Sequence, residues 1–395
     1  RVLFRSSSFS IMKFIMIHSF SLLSAAAALA LCLSSALGGE EELFDVSRHG
    51  AVGDGKTLNS KALQAAIDEC AGSGGGTLVI PKGVFLSGAL FLKPGVNIRF
   101  LPGAVLKGST DINDYPKVNT RIEGHFEPWR AALINGDKVD HLRITGPGTL
   151  DGSGAPFWQE FYRRRAVDHK TTNLGVERPR LTFIQNSEDV RVSGIHFKDS
   201  GFWNLHLYRC RNVEVEECRF EALHGAKPNN APSSDGIDVD SSQDVTISKC
   251  FFSVGDDCIA LKGSKGPFAL QDQDSPPVER IHIRDCVFEA GGGIVTLGSE
   301  ATVVRDVEVL ARSGPPGFTP WLDTSTSNGF VEFSASPQFT GTAGSAAGIR
   351  LAGFWSRATT SNSPSSVAAR AVLRRMRLLR SSSMPAFLSL YSSST

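Results

Sequence analysis

The sequence contains no Asn-x-Ser/Thr site, so N-linked glycans cannot be used to place its surface. Neither sign of charge is in excess. The formal net charge is +1, which neither favours nor opposes an anionic partner. After the first forty residues no run is apolar enough to span a bilayer. Lysine is missing altogether from residues 311–395, where eight arginines face only Asp323 and Glu332. A basic tail is therefore joined to a net acidic body.

The N-terminus has the pattern of an export leader. Arg1, Arg5 and Lys13 precede the apolar stretch Phe14–Leu33, and the small residues Ala36 and Gly38 mark a cleavage point before Gly39. The competing reading is a membrane anchor. His18, several serines and the lack of a basic stop argue against it. Met12 is a candidate translation start. Of seven cysteines, one (Cys32) lies in the leader, leaving Cys70, Cys210, Cys218, Cys250, Cys258 and Cys286. Export permits disulfides.

What the chain does have is glycine, 39 copies, and a repeat. Offsets 0, +2, +5 and +7 select Val190, Val192, Ile195 and Phe197, then Val213, Val215, Cys218 and Phe220. They recur at Val245, Ile247, Cys250 and Phe252, and at Ile281, Ile283, Cys286 and Phe288; Leu142 and Ile144 begin a weaker copy. Each block is a short alternating strand, a turn and a second apolar pair. The spacing between blocks is unequal while the strand pattern is constant, so each block is one coil with loops of variable length. Such strands bury a face only by stacking. The fold class is all-β, a parallel β-helix. Cys218, Cys250 and Cys286 share one offset and should stack as a row, as buried thiols in preference to bridges. Asn59–Cys70 has helical spacing, with Ala62, Leu63, Ala66 and Ile67 on one face, and is placed to cap the open N-terminal end.

A second strand follows in each block: Leu205–Leu207, Ile237–Val239, Ile259–Leu261 and Val295–Leu297. Two residues before these stand Trp203, Asp235, Asp257 and Gly293. Adjacent coils, about 4.8 Å apart, thus place Asp235 and Asp257 at one structural position, with Asp256 beside them. Crowded carboxylates tend to hold a proton, which supplies an acid and a base. Two other readings compete. Aspartate at turns serves local hydrogen bonding, which accounts for Asp238, Asp240 and Asp244, and clustered carboxylates can bind calcium.

Ser234-Asp-Gly-Ile-Asp-Val-Asp240 and Val254-Gly-Asp-Asp-Cys-Ile-Ala-Leu-Lys262 resemble the two aspartate motifs of polygalacturonases, the pectin hydrolases of glycoside hydrolase family 28. Gly50–Lys56, Gly75–Pro81, Gly103–Gly108 and Phe202–His206 resemble further shared segments, so the likeness spans about Phe44 to Val309. The resemblance implies a right-handed, pectin lyase-like solenoid and inverting hydrolysis of α-1,4-galacturonan, with no metal and no cofactor. In its terms Asp256 is the general acid, and Asp235 and Asp257 activate water. Spacing alone would suggest a retaining enzyme; strand stacking does not fix side-chain direction, so the resemblance is followed. Lys262, His206 and Arg305 are the candidate cations for an acidic substrate.

Three departures stand out. Ser233-Ser234 replaces the usual Asn-Thr, and Gly291-Gly292-Gly293 replaces Gly-His-Gly, which removes an imidazole. No Arg-Ile-Lys motif follows Val309. The expected organisation is a leader and upstream residues (1–38), a hydrolase domain (39–310) and a low-complexity, disordered tail (311–395), in which residues 367–380 have the pattern of a basic amphipathic helix. The expected partner is acidic cell-wall polysaccharide (pectin, homogalacturonan). No nucleic acid, no membrane insertion after leader cleavage and a monomeric, secreted state complete the expectation. Alternatives are a rhamnogalacturonan hydrolase, a catalytically impaired pectin-binding β-helix and a pectate lyase.

Overall fold

Alternation decides which way each strand faces. In strand Glu188–Ser193 the apolar Val190 and Val192 are fully buried while Arg191 is exposed. The same alternation recurs in Arg211–Glu216, Gln243–Ser248 and Val278–Arg284. These strands stack in parallel with Val190, Val213, Val245 and Ile281 in register. The row ahead of them consists of Asp189, Asn212, Asp244, Arg280 and Asp306, all left-handed with φ between 53° and 58°. Asn and Asp adopt that conformation with least strain, because their short polar side chains bond locally. Asp244 nevertheless lies within strand Gln243–Ser248, and its carboxylate accepts from Arg280 of the next coil, so the turn reading does not hold for it.

A computed structural model describes residues 42–225, 227–265, 269–298, 300 and 303–311, and three short strands beyond. The leader, and with it Cys32, lies outside the described residues. The described body winds through three sheets, of twelve, eight and seven strands, parallel except where Ala335–Ser336 and Ala347–Leu351 join the first, as a right-handed parallel β-helix. Phe197, Phe220, Phe252 and Phe288 stack inside it with centroids 4.7, 5.0 and 5.1 Å apart and nearly parallel rings. Burying such rings contributes about 1.5–3 kcal/mol each. Cys218, Cys250 and Cys286 form the expected row, and with Cys210 and Cys258 they are buried free thiols.

Helix α1, Ser60–Gly72, buries Leu63, Ala66, Ile67 and Cys70 against the first coils. Helix α2, Ala155–Val167, was not signalled by periodicity. It seats Phe157, Trp158 and Phe161, with Trp158 Nε1 donating to Ser200 O at 2.9 Å. A hairpin, Lys117–Ile122 with His125–Arg130, is the antiparallel element on the side of the stack. At the far end, strand Val303–Ala311 pairs in parallel with Val278–Arg284. Of the tail, the strands Phe330–Val331, Ala335–Ser336 and Ala347–Leu351 are described, the last antiparallel to Val303–Ala311. The stretch 367–380 lies outside the described residues. Among the described residues no helix is long and apolar enough to cross a membrane.

Candidate active site

The third sheet positions the chemistry. Strands Leu205–Tyr208, Ile237–Asp240 and Ile259–Lys262 turn Leu205, Leu207, Ile237, Val239, Ile259 and Leu261 into the core. Their alternate residues form two outward rows: His206, Asp238 and Ala260, then Tyr208, Asp240 and Lys262. Leu205, Ile237, Ile259 and Val295 are in register. Trp203, Asp235, Asp257 and Gly293, two residues earlier in each coil, therefore occupy equivalent positions. The backbone agrees: Gly236 N donates to Asp257 O at 2.8 Å, and Cys258 N to Gly293 O at 2.8 Å.

Asp256 and Asp257 are partly exposed, whereas Asp235 is 4 % exposed. Asp256 Oδ2 accepts the backbone N–H of Ser233 at 3.1 Å, from a residue held at φ 55°. Asp256 borders a cleft of about 470 Å³ that is also lined by His224, Lys227, Glu289 and Gly292. Burial holds the Asp235 carboxyl well above the usual carboxylate range. The neighbouring Asp238 adds to this, the Lys262 ammonium opposes it, and Asp256 and Asp257 raise it further. Burial pushes Asp238 up as well, to about 7, against the pull of Lys262.

Lys262 is enclosed, at 5% exposure. Its Nζ lies 3.5 Å from Asp235 Oδ2, Asp238 Oδ1 and Glu300 Oε2, and 4.6 Å from the Trp203 ring centroid. Burial disfavours its charge, yet the surrounding carboxylates more than offset that and raise its pKa. His206 is fully buried and offers no surface to a ligand. Arg180 Nη1, a donor only, lies 2.7 Å from His206 Nδ1, so Nδ1 accepts and the ring proton sits on Nε2, 3.4 Å from Asp240 Oδ2. Burial lowers the His206 pKa to about 4. Arg305 belongs to the first sheet and pairs with Glu279 there. The structure thus brings Asp235, Asp256, Asp257 and Lys262 together, with Lys262 as an internal counter-cation. It leaves His206 and Arg305 away from any surface these aspartates share.

Sequence reasoning gave Asp238 and Asp240 to turns. Both lie within a strand, at 0 % and 1 % exposure. The period-two alternation of Ile237–Asp240 was the available signal. Asp240 receives Arg121 Nε at 3.0 Å, and Arg121 Nη2 also donates to Gly263 O at 2.7 Å and Ser275 Oγ at 2.6 Å. Arg121 comes from the side hairpin, so this pair fastens the hairpin to the coils. At the hairpin tip Gly124, at φ +80°, packs so closely that a Cβ would stand 2.9 Å from Lys265 and 3.0 Å from Glu300. Arg178 is a further residue the sequence did not disclose. It is buried between the Phe161 and Phe202 rings and donates to Pro232 O at 2.5 Å and Ser233 Oγ at 3.3 Å, behind the amide that meets Asp256. No group of three or more His, Cys, Asp or Glu side chains is spaced to hold a metal among the described residues.

The chain is a parallel β-helix in which Asp256 borders a surface cleft beside the stacked Asp235 and Asp257. The profile of glycosyl hydrolases family 28 matches residues 70–312, and the chain belongs to that family. It is 30% identical over 281 residues to a probable polygalacturonase of Vitis vinifera, covering 68% of this chain and 54% of that one. It is 33% identical over 223 residues to an exopolygalacturonase of Zea mays, covering 55% and 48%. Among solved structures, the exopolygalacturonase of Thermotoga maritima superposes with a TM-score of 0.58 at 27% identity, covering 69% of this chain and 66% of that one. The chain spans about half the length of the curated relatives it matches.

Proposed function

We propose that the protein hydrolyses α-1,4-galacturonosyl linkages of pectin by an inverting acid/base mechanism, outside the cell and as a monomer. The observation that carries this is the step formed by Asp256, facing the cleft, and the stacked pair Asp235 and Asp257. Asp256 would protonate the leaving oxygen. Asp235 and Asp257 would take the proton of the attacking water. Residues 39–310 would be the catalytic domain and 311–395 a separate tail, and the export leader would direct the product to the cell wall.

Reducing-end release from polygalacturonate tests the reaction, and the anomer first formed, read by NMR, tests inversion. No release from polygalacturonate would overturn the reading. A first-formed anomer that keeps the substrate configuration would overturn the mechanism alone.

One observation favours a second reading. A Cβ at Gly292 would stand 3.0 Å from Asp257 Oδ1 and 3.4 Å from Asp256 Oδ1. The position where an imidazole is expected from the resemblance thus faces the aspartates and is bare. Rhamnogalacturonan cleavage, or pectin binding without turnover, would follow from that difference. Release from rhamnogalacturonan but not polygalacturonate identifies the first. Binding without release from either identifies the second.

A further inference from the structure

We infer that His224 and Lys227 form the binding position for the carboxylate of the uronic acid unit lying against Asp256. The inference rests on the galacturonan reading above and adds the residues that would recognise the acid.

The connections from the second to the third sheet are short in three coils, running 199–204, 254–258 and 291–294. Between strands Arg219–Glu221 and Ile237–Asp240 the connection instead runs 222–236. Its neck is fixed. Ala231 N donates to Leu223 O at 2.6 Å, Ala222 N to Ser253 O at 2.9 Å, and Asn230 Nδ2 to Gly255 O at 2.9 Å. Asn230 Oδ1 also accepts from Tyr162 of helix α2. The bond from Asn230 to Gly255 ties the loop to the coil that carries Asp256. Its tip, with His224, Lys227, Pro228 and Asn229, is exposed.

The charge balance of the cleft makes that tip chemically specific. The other titratable groups on its wall, Asp256 and Glu289, are acidic, so a uronate would be repelled without a compensating cation. The remaining cations around the aspartates are engaged. Lys262 is enclosed by three carboxylates, Arg121 is paired with Asp240, and Lys265 with Glu123. Arg178 and Arg180 are buried. Among the described residues, Lys227 is the cationic side chain lining this cleft, and the His224 imidazole lines it as well. A carboxylate-bearing sugar would find its counter-charge there.

The test is equilibrium binding of trigalacturonate, and of the same trimer fully methyl-esterified, to the full chain. An Asp256→Asn background prevents turnover. The double variant His224→Ala/Lys227→Ala should bind the acid about five- to tenfold more weakly, as expected for exposed charge pairs. Binding of the ester should be unchanged, and Lys227→Arg should retain most of the affinity. Equal weakening of both ligands, or of neither, overturns the inference. If the double variant in the Asp256 background binds the acid normally while the unsubstituted chain hydrolyses polygalacturonate, the inference fails alone. If the unsubstituted chain neither binds nor cleaves galacturonan, the functional reading fails and takes the inference with it.

Discussion

Lys262 Nζ lies 3.5 Å from Asp235 Oδ2, and the two side chains are 7% and 5% exposed. The same ammonium stands equally close to Asp238 and Glu300. One cation therefore serves three carboxylates in a setting from which water is largely removed. Lys262→Met should lower stability by about 3–5 kcal/mol at neutral pH, because uncompensated buried charge remains. Denaturant unfolding at pH 7 and pH 5 measures this. The deficit should shrink at the lower pH, where the carboxylates protonate.

Asp238 gives a pH dependence of definite sign. Burial raises its folded-state pKa to about 7, above the unfolded value near 4. The folded state therefore binds the proton more tightly, and the stability this contributes is present below pH 4 and lost as pH rises towards 7. Asp238→Asn should flatten the stability profile across that window. An unaltered slope between pH 4 and 7 would refute the assignment.

Arg121 and Asp240 form the other buried pair, at 3.0 Å. Removing either partner should cost about 3–5 kcal/mol, and Arg121→Met with Asp240→Asn together should cost less than the two separately. Arg121→Lys should not rescue, because lysine cannot reproduce the guanidinium fork that reaches Asp240, Gly263 and Ser275 at once. A double-mutant cycle on the melting temperature reads the coupling.

Asp256→Asn should reduce turnover by about 10²–10⁴-fold, the contribution of one positioned general acid. Thermal stability should stay within about 0.5 kcal/mol, since the side chain is partly exposed. Steady-state kinetics beside a melting curve separates the two effects.

Cys210, Cys218, Cys250, Cys258 and Cys286 are buried and form no disulfide. Reductant should therefore leave the melting temperature unchanged, and a thiol reagent should modify these sites only after unfolding. Mass spectrometry of alkylated native and unfolded protein counts them.

Much of this architecture was legible in the residues themselves. Stacking offsets identified Phe197, Phe220, Phe252 and Phe288 as one row and brought Asp235 over Asp257, because a parallel coil preserves register along the whole stack. The fate of cations was not legible. Lys262 and Arg305 are both basic residues near the end of the repeat, but one is enclosed and the other lies on a different sheet. Solvent exposure depends on loops and on the hairpin, which no period encodes. Helix α2 escaped notice for a related reason: its polar residues outnumber the three aromatics that seat it. The turn expectation for Asp238 follows from the general preference of aspartate for turns, whereas strand alternation sets its direction.

The in-register pairing of Ile237 with Ile259 bears on how errors in this protein would show. In a strand, displacement by a single residue exchanges the two faces. Such a slip in Ile237–Asp240 would push Asp238 and Asp240 into the hydrocarbon interior and expose Ile237 and Val239. The same alternation thus guards both interior and chemistry: a misaligned coil would be rejected on solvation grounds before it could present a faulty catalyst.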